Sequence, residues 1–132
     1  MLRLFQNGKR PFLDRKFLFV HCSLITNFTN NYISTYNRFT ELPEAVNASA
    51  LQSLQSLSLS GNLVSSLGNL RMPSLWRLEV SDNRLTNLTS TNLMGLPGLQ
   101  VLDLSNNKIA SIEKAAFGLN RPLKALRLDS NR

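Results

Sequence analysis

Two stretches decide how this chain folds: Leu75-Trp76-Arg77-Leu78-Glu79-Val80-Ser81-Asp82-Asn83-Arg84-Leu85 and Leu99-Gln100-Val101-Leu102-Asp103-Leu104-Ser105-Asn106-Asn107-Lys108-Ile109. Laid over one another, they share leucine at the first and fourth places and an aliphatic residue at the sixth. Asparagine follows at the ninth place and an aliphatic residue at the eleventh. The spacing recurs upstream at Leu54, Leu57, Leu59, Asn62 and Val64, and downstream at Leu123, Leu126, Leu128 and Asn131. Successive starts lie 21, 24 and 24 residues apart, so the four asparagines fall in register. A fixed period of this length marks a stacked array of small units rather than one closed core.

The middle of each unit alternates apolar and polar residues. That is the pattern of a short strand with one face buried. Each strand is expected to pair in parallel with its counterpart in the next unit. The outward residues are then Ser56, Ser58 and Ser60 in the first unit and Arg77, Glu79 and Ser81 in the second. They are Val101, Asp103 and Ser105 in the third, and Ala125, Arg127 and Asp129 in the fourth. With strands about 4.8 Å apart, Glu79, Asp103 and Arg127 form one row, flanked by Arg77. Later apolar residues, such as Leu88, Leu93, Leu96, Ile112 and Phe117, turn the chain back across a second, convex side. That side is expected to be irregular, with one helical turn near Glu113–Phe117. The asparagines Asn62, Asn83, Asn107 and Asn131 sit where the chain leaves the strand. An amide both donates and accepts, so it can satisfy the backbone groups a bend leaves unpaired. Asn106 faces outward, so its replacement by alanine is expected to be close to neutral.

These residues resemble the leucine-rich repeat superfamily over about residues 37–132. The 24-residue unit, with Leu93 or Phe117 near its end, is similar to the class common in extracellular and cell-surface members, such as Toll-like, Slit-like and chaoptin-like proteins. The resemblance implies an α/β solenoid with a short parallel β-sheet on the concave side and an irregular convex side, which binds other proteins. The pattern departs from that class in three ways. Cys22 is the single cysteine, so no Cys-rich cap is present, the first clear unit has 21 residues, and Asn120 stands where leucine is usual. The sequence stops one residue past Asn131, which reads as a fragment of a longer array. The expected organisation is an N-terminal extension or leader over 1–30 and a repeat domain over 31–132. That domain comprises a degenerate first repeat or cap at 31–53, repeats at 54–74, 75–98 and 99–122, and a truncated one at 123–132.

Composition bounds the function. Of 132 residues, 26 are leucine, and 20 of these lie from Leu51 onward, which the repeat explains. The net charge of +7 is concentrated upstream: residues 1–40 carry +5 and residues 41–132 carry +2. Excess charge outside the repeats reads as a basic arm rather than a nucleic-acid face. The longest apolar stretch, Phe17–Ile25, is far short of the roughly 20 residues needed to span a membrane. One cysteine and one histidine, His21, exclude an intramolecular disulfide, a Cys-rich zinc site and paired-histidine catalysis. No cofactor, metal or nucleic acid is expected, and no enzymatic activity.

The expected function is protein–protein recognition at the cell surface or outside the cell; the alternative is an intracellular scaffold or regulatory subunit. Candidate contact residues are Trp76, Arg77, Glu79, Asp103 and Arg127, with Trp76 as the anchor, since aromatic and arginine side chains dominate binding energy. Three N-x-[ST] triplets, at Asn27, Asn47 and Asn87, are possible glycosylation sites. With 15 asparagines and 22 serines and threonines, chance alone supplies about that many, so they are compatible with secretion without arguing for it.

Overall fold

The computed structural model describes residues 31–33, 38, 40, 52–120 and 122–132. Seven short strands and one helical turn follow in order. They are β1 (Asn31–Ile33), β2 (Ser56–Ser58), β3 (Arg77–Glu79), β4 (Asn87–Leu88), α1 (Ser90–Leu93), β5 (Val101–Asp103), β6 (Ser111–Ile112) and β7 (Ala125–Arg127). Five of them build one sheet in the order β1-β2-β3-β5-β7, and every neighbouring pair is parallel. Leu57, Leu78, Leu102 and Leu126 stand opposite one another across it. A second parallel pair, β4 with β6, forms on the far side. This was not expected of an irregular convex face.

The core is a stack of leucines. Leu57, Leu78 and Leu102 are 0% exposed, as are Leu59, Leu75, Leu93, Leu96, Leu99 and Leu104. Burying one such side chain is worth roughly 1.5–3 kcal/mol, and each is covered only by its own repeat and the two beside it. Leu126, in β7, is 39% exposed. Where the repeats that begin at Leu54 and Leu75 meet, Met72 N donates to Gly95 O (3.0 Å). A Cβ on Gly95 would run into the Leu70 carbonyl, so the close approach requires glycine.

The asparagines close each bend in two directions. Asn107 Nδ2 donates to Leu104 O (3.1 Å) and Ser105 O (3.1 Å) in its own repeat, and to Val80 O (2.8 Å) in the preceding one. Its Oδ1 accepts from Leu85 N (3.0 Å). Asn83 makes the same set with Val80 O, Ser81 O, Leu59 O and Val64 N. Asn131 repeats it with Leu128 O, Leu104 O and Ile109 N. Asn62 donates to Leu59 O (2.8 Å).

The residue before each asparagine has positive φ: Gly61 (72°), Asp82 (54°), Asn106 (52°) and Ser130 (56°). Asn106 therefore does not behave as a neutral surface site. Its backbone is left-handed, a conformation asparagine tolerates and alanine resists.

The helical turn also lies elsewhere than expected. Residues 114–119 form successive turns, closed by Ala116 N to Glu113 O, Gly118 N to Ala115 O and Asn120 N to Phe117 O (2.9, 2.9 and 3.1 Å). The helix is α1, one repeat earlier. Its start is organised by Asn92, whose Oδ1 accepts from Thr89 N (2.8 Å) and Thr89 Oγ1 (2.9 Å).

Candidate protein-binding surface

Strand register sets the concave face. Ser58, Glu79, Asp103 and Arg127 lie in one hydrogen-bonded row, and Ser56, Arg77, Val101 and Ala125 in the next. The charged groups do not stand free. Arg77 turns both its Nε (2.9 Å) and its Nη2 onto Glu79 Oε1. Arg127 Nη1 reaches Asp103 Oδ2 (3.5 Å), and its Nε lies 3.8 Å from Asp129 Oδ1. The other Asp103 oxygen accepts from Ser105 N (3.0 Å) and Ser105 Oγ (2.6 Å). The result is a mosaic of matched charges rather than a field of one sign. Part-exposed surface ion pairs of this kind contribute only about 0–1 kcal/mol each, so a partner that offers its own charges exchanges them at small cost.

Two serines expected to face outward are covered instead. Ser58 is 7% and Ser105 5% exposed, the latter drawn in by Asp103. Ser81 remains partly open, its Oγ donating to Ser60 Oγ (2.9 Å).

Trp76 immediately precedes β3, the central strand of the sheet, and is 39% exposed. Its backbone is fixed from both sides. Its N–H donates to Gln55 O (2.9 Å), and its carbonyl accepts from Gln100 N (2.8 Å) and Val101 N (2.9 Å). A large, stiff side chain on an immobile backbone costs little entropy to bury in a complex. Arg77 follows it directly and opens β3, so the indole stands at the start of the strand that carries the Arg77–Glu79 pair.

On the opposite side Asn87 is exposed, in β4. Asn27, Asn47, His21 and Cys22 lie outside the described residues, as does most of the expected degenerate repeat. Among the described residues no three His, Cys, Asp or Glu side chains gather where they could hold a metal ion. No helix there is long and apolar enough to cross a membrane.

Two further buried asparagines have bridging roles that the repeat spacing does not predict. Asn92 Nδ2 donates to Gly68 O (2.9 Å), and Asn120 Nδ2 to Leu96 O (2.8 Å) and Leu93 O (3.3 Å). Both bridge neighbouring repeats on the convex side. Thr89-x-x-Asn92 is a capping box with asparagine in the place usual for Glu or Gln; Asn120 is marked only by standing where leucine is usual.

The sheet of identical strands, the leucine stack and the asparagine clasps together define a leucine-rich repeat solenoid. The chain belongs to the leucine-rich repeat superfamily. The leucine rich repeat family model matches residues 73–132. Among curated relatives, Nephrocan of Mus musculus is 38% identical over 97 residues, 72% of this chain and 19% of that protein. Acidic leucine-rich nuclear phosphoprotein 32-related protein 1 of Oryza sativa subsp. japonica is 42% identical over 91 residues, 67% of this chain and 18% of that protein. Among solved structures, the Toll–Spatzle complex of Drosophila matches with a TM-score of 0.62 and 29% identity. That match covers 72% of this chain and 13% of the other. The chain thus spans under a fifth of the length of these relatives.

Proposed function

We propose that residues 31–132 form a non-enzymatic recognition domain that binds a protein partner outside the cell or at its surface. Trp76 is its anchor, and Arg77, Glu79, Asp103 and Arg127 are its exchangeable charges. The observation that carries this reading is an exposed tryptophan on a fixed backbone, next in sequence to a strand whose outward charges are paired. The 24-residue repeat and the likeness to the Toll–Spatzle complex support the extracellular placement. Asn87, exposed within an N-x-[ST] triplet, would then carry a glycan on the side away from the partner. A second reading, an intracellular scaffold, draws on the likeness to the rice nuclear phosphoprotein-related relative.

Binding of the labelled chain to intact cells tests the first reading. Saturable binding that protease treatment of the cells removes is expected, weakened about tenfold or more by Trp76→Ala, as for a central anchor. Undiminished binding of a folded Trp76→Ala chain refutes the concave site. Expression in secretory cells separates the two placements: a glycosidase-sensitive mass lost in Asn87→Gln supports the extracellular one, and its absence supports the scaffold.

A further inference from the structure

Arg84, Lys108 and Arg132 each follow a clasping asparagine directly, so the repeat places them in one column on the flank where the chain leaves the concave sheet. Backbone hydrogen bonds fix that column. Arg84 N donates to Val64 O (2.9 Å), Lys108 N to Leu85 O (2.9 Å) and Arg132 N to Ile109 O (3.1 Å). Leu85 is the residue after Arg84, and Ile109 the residue after Lys108. Each cation is therefore stitched beside the one before it. All three are exposed.

The column differs in kind from the concave face. There each arginine has a carboxylate; here, among the described residues, none of the three cations has one. Asp82 lies two residues before Arg84 without pairing to it, and Glu113 turns its carboxylate onto Ser90 N (2.7 Å). Like charges set side by side on adjacent segments repel, so the column does not stabilise the fold. The surface beyond it is Thr86, Asn87, Ala110 and Ser111, all exposed, small and uncharged. It contains no aromatic ring on which a base could stack.

We propose that this column binds a linear polyanion of the sulfated glycosaminoglycan class, whose closely spaced sulfates match a row of cations that repeats once per turn of the solenoid. The binding rests on the geometry alone; the extracellular reading supplies the place where such a chain would be met.

Titration of a fluorescent heparin decasaccharide against the whole 132-residue chain, at about 0.15 M salt, tests this. The double variant Arg84→Ser/Lys108→Ser is expected to bind at least about tenfold more weakly and with a shallower salt dependence, because fewer counterions are released. Arg71→Ser/Lys114→Ser removes the same charge from exposed positions outside the column and should lose less than about twofold. Equal losses in the two variants would overturn the site. A DNA duplex of equal length that binds as tightly as heparin would overturn the choice of a sulfated chain. Trp76→Ala, which probes the concave reading, should leave heparin affinity unchanged; a tenfold loss in that variant would overturn a site separate from the concave face.

Discussion

The repeats that begin at Leu75 and Leu99 share their length and their strand, and they part company on the convex side. On the concave side they are interchangeable: Leu78 and Leu102 are both 0% exposed, and Asn83 and Asn107 make matching hydrogen bonds. Fourteen residues after each start, the first has Thr89 and the second Glu113. Asn92 reaches back to Thr89 N, and α1 follows. Its counterpart Ala116 has no side-chain acceptor to offer, and Glu113 instead caps α1 of the neighbouring repeat through Ser90 N. Turns result. The strand half is fixed by pairing between repeats, which repeats regardless of local sequence. The convex half is decided within each repeat by whichever side chain reaches an orphan N–H first.

The sharpest way to break that comparison is to attack the interchangeable half. Leu102→Ala should cost about 2–5 kcal/mol, the range for a fully buried leucine, and Leu78→Ala the same to within about 1 kcal/mol. Urea midpoints measure both, and a mild effect at either site would refute the equivalence. Next in size, Asn107→Ala should cost about 1–3 kcal/mol, because Val80 O and Leu85 N lose a buried partner. Asn106→Ala, one residue earlier, should cost about 1–2 kcal/mol through the left-handed backbone, whereas Asn106→Gly should be close to neutral. Thermal melts of the pair separate backbone from side chain.

On the convex half, Asn92→Ala should cost about 1–2 kcal/mol through the lost bonds to Thr89 N and Gly68 O. Circular dichroism should show lost helix signal with strands intact. The smallest effect belongs to Glu113. Hydrogen bonds from Ser90, backbone first and hydroxyl second, hold its carboxyl below its ordinary value of 4.5. Its stabilisation is therefore present above that value and is lost as pH falls through the lower folded one. Glu113→Gln should lower neutral-pH stability slightly and flatten the profile as pH falls below 4.5, so that the two proteins converge in acid.

The strands and their register were legible because alternation and a 24-residue period leave little freedom: Leu57, Leu78, Leu102 and Leu126 could be aligned by counting. The concave row followed from the same count, but its ion pairs did not, since rotamers rather than spacing bring Arg77 onto Glu79. The helix was misplaced for an understandable reason. Glu113-Lys114-Ala115-Ala116 is richer in helix formers than Ser90-Thr91-Asn92-Leu93, yet over a single turn nucleation outweighs propensity, and only Thr89 with Asn92 nucleates. Asn106 looked inert because burial, which patterns can suggest, says nothing about φ.

The clasps all point the same way. Asn83 holds the bend of the repeat before it through Leu59 O and Val64 N; Asn107 does so through Val80 O and Leu85 N, and Asn131 through Leu104 O and Ile109 N. Opening of one repeat therefore strips the lock from its predecessor and leaves its successor's intact, which makes disassembly vectorial. Amide exchange should record that order. The N–H of Ile109, locked by half-exposed Asn131, opens most readily. Leu85 opens next, and Val64, two clasps further in, opens last.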